Sequence, residues 1–158
     1  MASDLQKSHE NEREGAEITY GAEDCYRKIA ELLQNMGFPK GVLPLKELEE
    51  FGYVRKTGFA WMKQKAPYKH YFSSMKLLVN YATEVTAYVE VEKRKMKKIT
   101  GVKGKQLLIW VTTVEMSIED PTSNKIYFNN PIGIGKSFPI TGFMTEEEKH
   151  KYLEKSNE

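Results

Sequence analysis

Val85-Thr86-Ala87-Tyr88-Val89-Glu90-Val91 alternates apolar and polar side chains at every step. Successive strand side chains point to opposite faces, so Val85, Ala87, Val89 and Val91 form one buried face and Thr86, Tyr88 and Glu90 the other. The period of two extends in both directions. Phe59 and Trp61 alternate with Ala60 and Met62, and Met75 to Tyr81 is apolar enough for a strand. Leu107 to Ile118 is apolar on both faces and reads as a central strand buried twice over, with Trp110 in its core. Asp120-Pro121-Thr122-Ser123-Asn124 is a turn, after which Ile126 and Phe128 begin another strand. Phe138-Pro139 and Phe143 close the domain.

Upstream the period changes. Ala22, Tyr26, Ile29, Leu33 and Met36 recur at steps of three and four, which predicts an amphipathic helix over about 22–36. Gly37 supplies a left-handed stop and Pro39 prevents continuation. Phe38, Val42 and Leu43 should then pack onto the core, and Leu45–Phe51 reads as a short helical turn. One helix and six to eight strands predict a mainly β (α+β) fold. The helix packs on a strongly curved antiparallel meander sheet or partly open barrel.

The 158 residues suit one domain at 16–145. Apolar residues are 40% and charged residues 29%, which excludes wholesale disorder. The net charge of +2 conceals an uneven distribution. Residues 1–24 carry −5 and residues 146–158 carry −2, leaving +9 for the body. Residues 1–15 read as a disordered acidic arm and 146–158 as a charged, solvated helical tail. One cysteine, Cys25, excludes an intrachain disulfide and fits a reducing compartment. No apolar run approaches the ~18 residues of a membrane helix, and the start lacks a signal-peptide core. The expected location is cytoplasmic, with peripheral membrane association as an extension.

No motif specifies a reaction or a cofactor. Gly133-Ile134-Gly135-Lys136-Ser137 ends like a phosphate loop, but Asn130 stands where the first Gly is needed and Phe138-Pro139 would stop the required helix. Three scattered histidines and one cysteine cannot form a spaced zinc site. His70, among Tyr68, Tyr71 and Phe72, is the one histidine that a hydrolytic reading could use.

The sharpest anomaly is Lys93-Arg94-Lys95-Met96-Lys97-Lys98-Ile99-Thr100-Gly101-Val102-Lys103-Gly104-Lys105, with seven bases and no acid. Lys93, Arg94, Lys95, Lys97, Lys98, Lys103 and Lys105 are candidates for contact with an anionic surface. The plain alternative is a solvated hairpin whose lysines protect an edge strand. Nucleic acid is disfavoured, because no stacking aromatics interleave with the bases. Phe59, Trp61 and Tyr68 are the candidates for lining an apolar pocket.

Four stretches together resemble a known plant family. They are Glu31-Leu32-Leu33-Gln34-Asn35-Met36-Gly37-Phe38-Pro39-Lys40-Gly41-Val42-Leu43-Pro44, Gly52-Tyr53 through Thr57-Gly58-Phe59, Ile99 to Lys105 with Leu107-Leu108-Ile109-Trp110, and Ser137-Phe138-Pro139 to Phe143. The family is defined only as a domain of unknown function, number five-three-eight, and the resemblance covers about residues 22–143. It implies a helix followed by a long meander sheet bent upon itself, in plant proteins linked to stress, nutrition and trichome branching. Likeness to lipid-binding bactericidal/permeability-increasing proteins, and ester hydrolysis of chlorophyll or pectin, have been suggested for the family. No catalytic motif comes with those suggestions. Many members are secreted with paired cysteines, so this chain resembles an intracellular, leaderless branch.

The expected function is a non-catalytic binding module for an apolar or amphipathic, lipid-like ligand or an anionic membrane surface. The alternatives are an ester hydrolase of unknown substrate, acting through His70, and a protein-interaction scaffold.

Overall fold

The computed structural model describes residues 11–156. These form ten strands and two main helices: β1 (Glu17–Tyr20), α1 (Ala22–Asn35), β2 (Leu48–Tyr53), β3 (Phe59–Gln64), β4 (Tyr68–Phe72), β5 (Leu77–Glu90), β6 (Lys95–Gln106), β7 (Ile109–Thr112), β8 (Glu115–Ser117), β9 (Lys125–Asn129), β10 (Gly135–Pro139) and α2 (Glu146–Ser156). All strand pairs are antiparallel. The sheet runs β1-β2-β3-β5-β6-β8-β9-β10 and does not close.

The β5–β6 hairpin is the spine. β3 pairs with the second half of β5 and β4 with its first half. On the other side, β8 pairs with the start of β6 and β7 with its end. Register shifts between Tyr81 and Thr86, and again between Thr86 and Tyr88, bend the spine.

The helix ends as its sequence predicts. Gly37 has φ 82°, Phe38 N–H donates to the Leu33 carbonyl (2.9 Å) and Gly37 N–H to that of Gln34 (3.0 Å), a Schellman cap. Cys25, Ile29 and Leu33 meet the concave face of the sheet, joined by Phe38, Val42 and Leu43. Ala60 and Met62 of β3 belong to this same core. Phe59 and Trp61, one residue out of phase, lie on the opposite face in a second cluster with Val54. The Cys25 thiol is fully buried, and burial, then Asp24 and Glu50, raises its pKa.

Four expectations change. Leu45–Phe51 is not a helical turn, because residues 48–53 form β2; a bulge between Leu48 and Glu50 breaks its period of two. Leu107–Ile118 is not one buried central strand. Leu107 and Leu108 are the exposed turn between β6 and β7, and burial returns only at Met116, Ser117 and Ile118. β6, which carries the lysines, is interior to the sheet, so its cations cannot serve as edge protection. The acidic arm lies outside the described residues up to position 10. Residues 11–15, by contrast, make a turn that sets the Arg13 guanidinium 2.6 Å from Glu84 and 4.6 Å over the Trp61 ring.

The C-terminal tail is α2. Thr145 and Glu148 form a capping box, with Glu148 N–H donating to Thr145 Oγ1 (3.2 Å) and Thr145 N–H to Glu148 Oε1 (3.1 Å). The same carboxylate accepts the Lys40 backbone N–H at 3.1 Å, which ties α2 to the loop after α1. No helix among the described residues is long and apolar enough to cross a membrane.

Candidate functional site

The three aromatic candidates do not come together. Phe59 stacks on Tyr88 (5.1 Å between centroids) and Trp61 (6.0 Å) on the outer face. Trp61 is only 2% exposed. A Cβ on Gly52, its cross-strand partner, would stand inside the indole ring, so the missing side chain makes the space that Trp61 fills. Its indole N–H donates to Glu50 (2.6 Å) and Arg13 covers the ring. Tyr68 lies on the inner face against the main core, with the Lys46 ammonium 4.6 Å over its ring.

The basic run divides in two. Lys93 and Lys97 both pair with Glu90, Lys95 pairs with Glu115 at 3.4 Å, and Lys98 sits 5.3 Å over Tyr88. Arg94 turns back toward the Ile118 carbonyl at 3.5 Å. Three of the five cations in this half are thus ion-paired, with two carboxylates between them. Lys103 and Lys105 lie at the far end of β6, in register with Thr112 and Trp110 of β7. Trp110, expected in the core, is 39% exposed there. The cross-strand pair puts the Lys105 ammonium 5.8 Å from its ring, and β4 brings Lys69 to 5.6 Å.

An apolar cavity of about 180 Å³ opens elsewhere, on the concave face. Val79 and Tyr81 of β5 and Val102 of β6 form its floor, and Phe128, Phe138 and Phe143 its far wall. Its cause is topological. β8 and β9 stay paired until Val114 N–H meets the Asn129 carbonyl (2.8 Å). Beyond that point β7 pairs only with β6 and β10 only with β9, so the two hairpins splay. Gly104 enlarges the gap: a Cβ there would find nothing closer than Leu77 Cδ1 at 3.8 Å. Gln106, Ile134 and Lys136 line the same opening. The Tyr81 hydroxyl, buried beneath, donates to the Val42 carbonyl (3.0 Å), and burial raises its pKa. Asn129 is among the lining residues, and its Oδ1 is buried with no hydrogen-bond partner among the described residues.

The histidine of the hydrolytic reading is held by aromatic neighbours. His70 shares a shallow cleft with Ser73 and Ser74, but its Nδ1 hydrogen-bonds the Tyr68 hydroxyl (3.1 Å) and its ring packs 4.5 Å from Phe72. Gly135-Lys136-Ser137, the end of the phosphate-loop lookalike, lies in β10 and opens no helix. Among the described residues no group of His, Cys, Asp and Glu converges as a metal site.

Burial, then the Lys46 ammonium, pushes the His70 imidazole below its ordinary pKa. The folded chain therefore resists protonation that the unfolded chain accepts near pH ~6.5. The stability contribution is complete above that value and is lost as pH falls through the lower folded pKa. Thermal unfolding between about pH 7 and pH 5 should show this decline in the wild type and a flatter profile in His70→Gln. Superimposable profiles would remove His70 from the account.

Fold and cavity together define an open-sheet, mainly β protein with an apolar recess between splayed hairpins. The chain belongs to the family described as protein of unknown function, DUF538, whose model matches residues 29–144. No curated protein and no solved structure matches it. The matched span runs from within α1 to just before α2 and includes every strand that builds the cavity. Sequence reasoning missed that cavity because its lining comes from positions 42 to 143. One local signal was available: Gly104, a residue without a side chain within a strand, often marks a close approach or an opening.

Proposed function

We propose that this protein is a non-catalytic binding module for an apolar or amphipathic small molecule, held in the cavity between the β6–β7 and β9–β10 hairpins. The observation that carries the reading is the cavity itself, about 180 Å³ and walled by aliphatic and aromatic side chains. An apolar hole of ~150 Å³ in a protein core holds a benzene ring. A ring or short hydrocarbon segment would thus sit inside, with the rest of the molecule across the mouth. Lys136 in the lining favours a ligand with an acidic group next to its apolar part. We place this activity in the cytoplasm, where one buried thiol needs no partner.

The test is titration with a fluorescent fatty-acid analogue, alongside native mass spectrometry of the protein as purified. Saturable uptake of one probe per chain is the expected result. Signal that rises without saturation, or that persists after thermal unfolding, would refute the cavity reading.

A further inference from the structure

We infer that the β6–β7 hairpin tip is a docking element for an anionic lipid bilayer, with Leu107 and Leu108 entering the interface and Lys69, Lys103 and Lys105 contacting headgroups. This goes beyond the cavity reading and stands on separate residues. Leu107 and Leu108 form the two-residue turn between the paired residues Gln106 and Ile109. They are 96% and 91% exposed, and Ile109 is 65% exposed. Leu107 also has φ 57°. Such turns prefer Gly or Asn at positions of positive φ, because a Cβ is strained there. A leucine here is unfavourable in backbone conformation and in hydration alike, and among the described residues nothing covers either side chain. Transfer of both side chains into hydrocarbon would remove the hydration cost.

The surroundings choose the partner. On the outer face, Tyr71, Leu78, Lys105 and Trp110 form one row across β4, β5, β6 and β7, and Lys69, Asn80, Lys103 and Thr112 form the next. Trp110 thus sits just behind the apolar tip, within 6 Å of two ammonium groups, the place an interfacial tryptophan occupies. No ion pair is formed by Lys69, Lys103 or Lys105 among the described residues. Segments 51–83, 99–114 and 121–145, which supply β4, the tip and the second hairpin, contain no Asp or Glu at all. An apolar apex, a tryptophan and unopposed cations in that order match the layering of an anionic membrane surface. Ile134, exposed on the second hairpin, lines the same cavity as Gln106. Docking at the first tip would therefore bring the mouth to the bilayer.

The full chain is tested by flotation with phosphatidylcholine vesicles, with and without phosphatidylserine. Retention on the anionic vesicles that falls with salt is the expected result. The double variant Leu107→Gly with Leu108→Asn puts glycine at the positive-φ position and removes the apolar apex. It should keep or raise the melting temperature and lose about tenfold or more in vesicle partitioning. Lys103→Gln with Lys105→Gln should lose a similar factor and flatten the salt dependence. Brominated lipid should quench the Trp110 emission and spare the buried Trp61. Absence of wild-type retention on anionic vesicles, or equal retention of the double turn variant, would overturn the inference. So would a dimer that the double turn change dissolves, seen without vesicle binding. Docking lost while probe uptake persists would strike this inference alone; uptake lost while docking persists would strike only the cavity reading.

Discussion

Gly104→Leu is expected to abolish probe uptake, by about 100-fold or more, while leaving the fold as stable as before or slightly more so. Gly104 lies in β6 with its missing side chain directed at the cavity, and a Cβ there meets only Leu77 at an ordinary contact distance. It is not among the glycines with positive φ, so a larger residue fits the backbone. Glycine inside a strand costs roughly 0.5–1 kcal/mol relative to alanine. Leucine would recover that and bury its own apolar surface at about 25 cal/mol per Å². The ligand and the new side chain would occupy the same volume, so one excludes the other. The measurement is a probe titration paired with a thermal melt. Trp61→Phe, on the opposite face of the sheet, is the control and should bind the probe like the wild type. A Gly104→Leu protein that is folded and binds with unchanged affinity would move the site away from this cavity.

Gln64→Leu should destabilise the protein by about 3–4 kcal/mol, through loss of hydrogen bonds to three main-chain groups. Gln64 is 2% exposed at the end of β3, where the partner of β5 changes from β3 to β4. At that junction the strand ladder has a gap. The Gln64 Nε2 donates to the carbonyls of Tyr81 (3.0 Å) and Ala82 (2.9 Å), and its Oε1 accepts the Lys46 N–H (3.1 Å). One amide thereby replaces the missing ladder. Leucine matches its size but offers neither donor nor acceptor, so buried main-chain groups would lose their partners. For a chain of this length the melting temperature should fall by roughly 10 °C. Gln64→Glu keeps the acceptor and sets a carboxylate against two carbonyl oxygens. Its stability should improve as pH falls, because the protonated acid again donates. A melt of Gln64→Leu within a degree or two of the wild type would show that the gap is closed by other means.

Neither site was visible in the linear chain, though much of the frame was. The helix over 22–36 and its Gly37 stop follow from spacing and one left-handed glycine, both local properties. Val85–Val91 alternates because one face meets the core, and β5 has that pattern. The two tryptophans show where local reading stops. Trp61 alternates like any half-buried residue, and only Gly52 across the ladder and Arg13 above it bury the ring completely. Trp110 stands in the most apolar stretch of the chain, yet that stretch is an exposed hairpin tip. Apolar content reports that a side chain avoids water, and a core or an external surface can satisfy it equally.

Sequence alone determined the mainly β class, the first helix and its terminus, the inward face of β5 and the family, because periodicity and backbone preference act between near neighbours. Tertiary structure alone decided which residues share a cavity, which lysines stay unpaired and which apolar segment faces outward. Those depend on where β6 exchanges β8 for β7 and on how far the two hairpins diverge, and such long-range pairings leave no mark on the spacing of side chains along one strand.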